Sequence, residues 1–411
     1  MRAVTFDGAI PRYLTTRATG RIASRWLSGP GRCTRLQEVP LPALPADDWV
    51  RVRTRLGGIC GSDLDLVRLD VSPSTSPFSS FPFVVGHENV GVIQEVGPAV
   101  TGLRPGERVV VNPLLSCVPR GIEPPCRHCV GGHPARCQNF TEGRLPAGML
   151  LGTTRSLGGS WGDAYVAHVS QVVRVPEQVG DRSAVLLEPL ATVLSPVLDH
   201  PPAAGEQVLV IGGGSIGLLA TAALRTVAPE ARVTVLARHR FQAEHAERMG
   251  AHHIVVPRDA DDYFRSLSDL SGGRLLHPIL GPRVHVGGFD HSYVCVGNSG
   301  AVDDALRFTQ AGGHVVLLGN VSRLPKVDWT PLWMKELTIR GSLCYGHHPH
   351  GGTTRHAFDT AMHLLTEGLR DTIDPLVTHV FPLRHFREAL AYSMSRSRHR
   401  SIKVAFDLTE Q

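Results

Sequence analysis

The stretch Gly58-Ile59-Cys60-Gly61-Ser62-Asp63, followed further along by Gly86-His87-Glu88-Asn89-Val90-Gly91, places a thiol, an imidazole and a carboxylate in one short region of chain. These are ligand types that a borderline-soft divalent cation such as zinc accepts together, so Cys60, His87 and Glu88 are candidate metal ligands. Taken singly, each has a plainer reading as a small core residue, a satisfied core histidine and a strand-end charge. A second cluster, Cys117, Cys126, Cys129 and Cys137, lies in a loop dense in Pro, Gly and Arg. Cys126-Arg127-His128-Cys129 is a C-x-x-C knuckle, and four thiolates with no free position describe a closed structural zinc site. Disulfides are the alternative, disfavoured because the chain begins without an apolar signal core.

A third constellation follows Gln207-Val208-Leu209-Val210-Ile211, a short β-branched run. Gly212-Gly213-Gly214-Ser215-Ile216-Gly217 comes directly after it and opens a helical pattern from Leu218 to Val227. In that context Gly212, Gly214 and Gly217, with Ser215 and Ile216 between them, make a dinucleotide-binding turn: glycines allow the tight bend and let a pyrophosphate reach the helix N-terminus. The next strand ends in Ala237-Arg238-His239-Arg240, where an NAD enzyme would present an acid to the ribose 2′-hydroxyl. Arg238 and Arg240 suit a 2′-phosphate instead, so NADP(H) is preferred with NAD(H) as the alternative.

From about Val50 onward the chain resembles the zinc-containing medium-chain dehydrogenases, especially the polyol, glucose and threonine dehydrogenase branch. Gly58 to Asp63, Gly86-His87-Glu88, the cysteine loop, Glu188-Pro189-Leu190 and the glycine turn occur in that family's order. The resemblance implies an α/β protein with a β-rich, GroES-like catalytic domain and a doubly wound parallel Rossmann domain. It also implies a catalytic zinc reached by Glu188 as well as by Cys60 and His87, with Glu88 either ligating directly or exchanging with water. Asp63 would orient His87, and Ser62 would begin a proton relay. The four cysteines would form the family's structural zinc lobe, although Cys117 lies further upstream than the family's first cysteine. Another departure is Asp65, which stands where alcohol dehydrogenases carry a relay histidine.

Length and composition agree with such a protein. With 411 residues, 42% hydrophobic and 19% charged, the chain can bury two sizeable cores. The net charge of +5 is not gathered into basic runs, which argues against nucleic acid and membrane partners. No apolar run is long enough to span a bilayer, and a cytoplasmic location is the default expectation. The expected partner is a small alcohol or carbonyl compound, and the resemblance implies a homodimer or homotetramer.

Alternation at Ala3 to Phe6, Trp49 to Leu56, Val90 to Gly97 and Arg108 to Val111 predicts strands. The polar stretch from Pro11 to Arg35 reads as a loop inserted in a first hairpin, and the Gly-, Pro- and His-rich residues 253–292 as a surface insertion. Further strands are expected at Tyr293 to Val296, His314 to Gly319, Leu337 to Ser342 and Ile402 to Phe406, the last returning to the first domain. Domain limits follow: 1–190 catalytic, with a zinc lobe at 112–140; 191–344 dinucleotide-binding; 345–411 returning to the catalytic domain. Cys295 and Cys344 suit core packing, and His347, His348 and His350 a solvated loop.

The sum is a zinc-dependent oxidoreductase moving hydride between NADP(H) or NAD(H) and a secondary alcohol, polyol or sugar. An NADPH-dependent carbonyl reductase would use the same site in reverse. A zinc-free quinone reductase would lack Cys60, Gly86-His87-Glu88 and the cysteine loop together. A non-catalytic cofactor-binding regulator would have no need to keep Cys60, Ser62, Asp63 and His87.

Overall fold

A computed structural model describes the chain at every residue except Arg21, Ser24, Arg25, Arg323 and Gln411. It falls into two compact bodies, one of Met1–Glu188, Tyr345–His347 and His356–Gln411, the other of Pro189–Cys344 and His348–Arg355.

In the first body a seven-stranded sheet is built around β1 (Trp49–Gly58). Its alternation buries Val50, Val52 and Thr54 on one face, and Trp49 is buried as well. Two residues past its end, Cys60 caps the short helix α1 (Gly61–Arg68). β2 (Asn89–Val96) runs antiparallel to β1 with Gly57 opposite Asn89. On its other edge β1 pairs with the C-terminal strand Lys403–Asp407, Gly58 facing Ala405. This C-terminal return delivers Lys403 to the turn that carries Cys60. A smaller three-stranded sheet holds Arg2–Phe6 between Thr34–Glu38 and Phe83–Val84.

The Pro11 to Arg35 stretch is not wholly a loop: Ile10–Gly20 is a helix. Pro11 stands in its first turn, where a missing N–H costs nothing, and Thr15, Thr16 and Thr19 bond back to carbonyls of the preceding turn. Only Thr16 is fully buried, so the apolar periodicity that announces a helix is absent. Residues 21, 24 and 25 of that stretch lie outside the described residues.

Helix α2 (Leu187–Asp199) leads into the second body, whose sheet is entirely parallel. Its strands are β3 (Gln207–Ile211), β4 (Arg232–Leu236), β5 (Phe289–Val294), β6 (Thr309–Leu317) and β7 (Thr338–Gly341), with His253–Val255 beside β4. Numbered by position in this body, the order is 3-2-1-4-5-6, the doubly wound arrangement in which β3 sits at the reversal. Helix α3 (Ser215–Val227) follows β3 directly. The expected surface insertion at 253–292 therefore needs correction. His253–Val255 is a sheet strand, Ala260–Leu270 a helix, and only the hairpin of Arg274–Leu276 and Val284–Val286 is added to the unit. Two short strands, β8 (His347–His350) and Thr353–His356, form a separate ladder.

Candidate active site

Cys60, His87 and Glu88 each offer a ligand atom within 4.8 Å of the others. Local chemistry fixes this arrangement. The Cys60 backbone N–H donates to Asp63 Oδ2 at 2.9 Å, and the same carboxylate puts Oδ1 3.5 Å from His87 Nδ1. One acid thus closes the first turn of α1 and faces the imidazole. The His87-Glu88 turn is pinned from behind by Asn89, whose side-chain amide donates to the carbonyls of His87 and Val111 and accepts from Val111 N–H and the Tyr165 hydroxyl. Burial alone would push the His87 imidazole down, but Asp63 and Cys60 outweigh it and hold its pKa well above the ordinary value. An imidazole facing a thiol and a carboxylate in a buried pocket suits a divalent cation, which supplies the positive charge that the proton otherwise brings.

Sequence reading missed Lys403. Its ammonium is 2% exposed, donates to both Glu88 oxygens at 2.5 and 2.7 Å, and reaches the Ile59 carbonyl at 3.3 Å. Burial works to lower this lysine, but Glu88, Cys60 and Glu188 together raise it, so it stays charged. Glu88 therefore meets the thiol and imidazole while already paired with a cation. Gly58 makes room for it, since a Cβ there would overlap the Glu88 carboxylate. Glu188 is buried in the first turn of α2 and contributes to the field at Lys403, yet it lies outside the trio of meeting ligand atoms. Ser62 follows Cys60 on α1, and Asp65, one turn further, lies 3.8 Å from Arg68. Nothing in sequence periodicity marks Lys403; the signal is its position in a strand returning beside β1.

The four lobe cysteines also bring their sulfurs within 4.8 Å of one another. Cys117 joins them despite its upstream position, with its sulfur 3.5 Å from that of Cys137. Backbone N–H groups of Cys126 and Asn139, and the Asn139 amide, point at the sulfurs of Cys117 and Cys137. Burial pushes the Cys137 thiol up to about 11 and Cys129 higher still. Cys126 feels slight burial in the same direction, but backbone hydrogen bonds hold it down at about 6. Four thiolates cannot share so small a volume without a cation, and this donor set fits zinc. Arg120, another residue that sequence reading passed over, is fully buried and donates to the carbonyls of Leu115, Glu142, Leu145, Pro146 and Gly148. It ties both ends of the cysteine loop together.

In the second body the glycine turn lies between β3 and α3, with Gly212 at φ +113° and Gly214 capping α3. Gly217 is required by close approach, since a Cβ there would overlap the Gly212 carbonyl oxygen. Ser215 and Ile216 open the helix. Past the end of β4, Arg238 and Arg240 stand exposed, and the backbone N–H groups of Arg238 and His239 both donate to Gln242 Oε1 at 3.2 Å.

The expectation of three solvated imidazoles after β7 fails for His348. It is 3% exposed, with Nε2 2.8 Å from Ser195 Oγ and Nδ1 2.6 Å from Asp199 Oδ1. Its partners sit one helical turn apart on α2, a pairing that only the folded chain reveals. His347 is exposed, as expected.

Comparison with known proteins gives this arrangement its setting. Residues 46–177 match the family model described as the alcohol dehydrogenase GroES-like domain, and residues 215–367 the one described as zinc-binding dehydrogenase. An L-threonine 3-dehydrogenase of Legionella pneumophila (strain Corby) is 30% identical over 359 residues, covering 86% of this chain and 91% of that protein. Among solved structures, a short chain alcohol dehydrogenase from Escherichia coli CFT073 complexed with NADH superimposes with a TM-score of 0.72 at 24% identity, covering 99% of each chain. A zinc-binding dehydrogenase from Sinorhizobium meliloti 1021 bound to NADP has a TM-score of 0.69 at 24% identity, covering 93% of this chain and 97% of that one. With these matches along most of its length, the chain belongs to the zinc-containing medium-chain dehydrogenase family and is a zinc-dependent alcohol dehydrogenase.

Proposed function

We propose that this enzyme transfers hydride between NADP(H) and a small secondary alcohol carrying a neighbouring polar group, the kind of substrate named for its L-threonine 3-dehydrogenase relatives. The observation that carries this reading is the meeting of Cys60, His87 and Glu88 in one buried cluster. Cys60 and His87 would hold zinc, with Glu188 or Glu88 as the carboxylate ligand and the four lobe cysteines holding a second, structural zinc. Zinc, when bound, supplies Lewis-acid polarisation of the substrate oxygen.

The chain's own residues do the rest. Asp63 would fix the ring of His87, Lys403 would balance the charge of Glu88, and the Ser62 hydroxyl would relay the alcohol proton, passing its own proton on as it receives one; the nicotinamide, when bound, would supply the hydride acceptor. The glycine turn from Gly212 to Gly217 cradles the pyrophosphate. Exposed Arg238 and Arg240, with no acid at the end of β4, favour the 2′-phosphate of NADP(H) over NAD(H). Exposed Trp333, Ile279 and Leu280 in the second body are consistent with a homo-oligomer.

The test is turnover of L-threonine and 2R,3R-butanediol with NADP and NAD, alongside zinc analysis. Wild type should carry zinc and turn over a secondary alcohol, Cys60→Ala should lose turnover, and Arg238→Ala should weaken NADPH binding roughly tenfold, about 1.4 kcal/mol for one charge-assisted contact. Unchanged turnover in Cys60→Ala would end the zinc reading, and tighter NADH than NADPH binding in wild type would end the cofactor reading.

A further inference from the structure

The inserted helix Ile10–Gly20 of the first body carries its polarity reversed. The one residue it buries fully is Thr16, whose hydroxyl donates to the Arg12 carbonyl at 2.8 Å and accepts from the Cys33 backbone N–H at 3.0 Å. Toward solvent it presents Ile10 and Leu14, one helical turn apart on the same face and 74% and 60% exposed. The pattern continues past the end of the helix. Ile22 is 80% exposed, with its N–H donating to the Thr19 carbonyl at 3.0 Å, and Trp26 is 42% exposed, with its carbonyl accepting from Arg32 Nε at 3.0 Å. A lone exposed apolar side chain needs no explanation, but four of them between Ile10 and Trp26, on a helix that gives its core face to a threonine, do.

The charge of this segment is equally one-sided. Residues 8–37 contain six arginines and neither a lysine nor an acid. Spaced three to seven residues apart, they form no basic run, which is why composition alone argued against a membrane partner. Arg21 and Arg25 lie outside the described residues; of the others, Arg12 and Arg35 pair with Asp7, and Arg17 stands exposed, donating to the Tyr13 hydroxyl. Tyr13 and Leu27 pack on the core that also holds Phe386 and Leu390, so the segment lies beside the helix Phe386–Met394. Arg35 from the insertion and Phe386 and Arg387 from that helix line one cavity. Residues 384–400 add five arginines against a single acid, Glu388, and Arg384, Arg387, Arg398 and Arg400 are exposed. Eleven arginines and one acid, in a chain with 42 basic and 37 acidic residues, leave the remainder of the chain acidic. The excess positive charge therefore sits on two neighbouring segments, one of which carries the outward apolar row.

We propose that the inserted helix and the turn that follows it are a docking surface for an anionic phospholipid bilayer. Ile10, Leu14, Ile22 and Trp26 enter the boundary between headgroups and acyl chains, and the arginines pair with headgroup phosphates. The other occupants each leave half of the surface opposed or unused. A second copy of this chain would set one arginine-rich face against another. A nucleic acid would match the arginines and leave the aliphatic side chains in water. An anionic bilayer takes both, since binding at its surface adds apolar burial to electrostatic attraction, and a tryptophan is at home at the headgroup level. Among the described residues no helix is long and apolar enough to cross a membrane, so this one lies on the surface. The inference goes beyond the dehydrogenase reading and does not depend on it: it concerns where the enzyme works.

The experiment is flotation of the purified full chain with vesicles of phosphatidylcholine, alone or mixed with an equal part of phosphatidylglycerol. Wild type should bind the anionic vesicles roughly tenfold more tightly than the neutral ones, with the difference shrinking as salt rises. Ile10→Ser combined with Leu14→Ser replaces two exposed side chains, which the fold tolerates, and should weaken binding roughly tenfold. Arg17→Glu should weaken it several-fold, chiefly at low salt. Trp26 emission should move to the blue on binding, a change missing in Trp26→Phe. Failure of wild type to float with the anionic vesicles overturns the proposal. So does binding that the Ile10 and Leu14 double variant leaves unchanged, because the arginines alone would then account for it. A solution dimer that the same double variant dissociates also overturns it, giving the surface to a second copy.

Discussion

Lys403 and Glu88 form the most consequential pair of residues at the site, because both are buried and neither has water to fall back on. Breaking a buried ion pair by removing one partner leaves an uncompensated charge and costs about 3–5 kcal/mol, whereas removing both is far milder. Lys403→Met alone should therefore lower unfolding free energy by about that amount, and so should Glu88→Gln to a lesser degree. The double variant should be more stable than Lys403→Met, which a double-mutant cycle by urea denaturation reads directly. Additive losses would show that the two side chains do not support each other. At this scale the sequence was informative about residue types and silent about partners. Cys60, His87, Glu88 and the four lobe cysteines announce themselves because few other side chains bind metal. Lys403, Asn89 and Arg120 do not, since a lysine in a C-terminal strand or an arginine in a loop is ordinarily a solvated charge.

Elements were legible where burial imposed a period. β1, β2 and β3 alternate or run apolar, and their positions could be read from the chain, whereas of β5 only Tyr293 and Val294 were read and its start was taken for insertion. The helix Ile10–Gly20 could not, because it is held by threonine hydroxyls bonding back to backbone carbonyls more than by an apolar stripe. The ladder begun by β8 was hidden for a related reason, since its buried histidine is satisfied by a serine and an aspartate distant in sequence. The cysteine loop shows how one side chain can stand in for a regular element. Arg120 donates to five carbonyls that no helix or strand partner satisfies, and it is charged and fully buried. Arg120→Met removes the donors and leaves those carbonyls unpaired, at about 1–3 kcal/mol for each that cannot reach water. Its expected consequence is local: the lobe releases zinc and its four thiols react with Ellman's reagent, while zinc at Cys60 and His87 is retained. Loss of both zincs together, or of neither, would refute Arg120 as the organiser of the loop.

On the scale of the molecule, two bodies with separate cores allow one to respond to conditions that leave the other untouched. Asp304, on the helix Ser299–Phe308 of the second body, is the clearest case. Burial raises its carboxyl to about 6, outweighing the Tyr263 hydroxyl at 3.1 Å and the Arg307 guanidinium at 3.5 Å, both of which favour the anion. The ion pair alone would suggest a lowered pKa, but its 3.5 Å separation and the 17% exposure of the acid side with burial. The sign follows from proton counting. Between the ordinary value of 3.8 and about 6 the folded protein binds a proton that the unfolded chain has released, so this contribution to stability is full below 3.8 and is lost as pH rises through 6. The loss is on the order of 3 kcal/mol. Asp199 acts in the opposite sense, its contribution disappearing only as pH falls from about 4 toward 2. Asp304→Asn keeps an acceptor for Tyr263 and cannot ionise. Urea unfolding of the second body should therefore show wild type losing stability relative to Asp304→Asn between pH 4 and pH 7. Parallel pH profiles for the two proteins would mean that Asp304 titrates alike folded and unfolded, and that the burial of this helix exerts no hold on its charge.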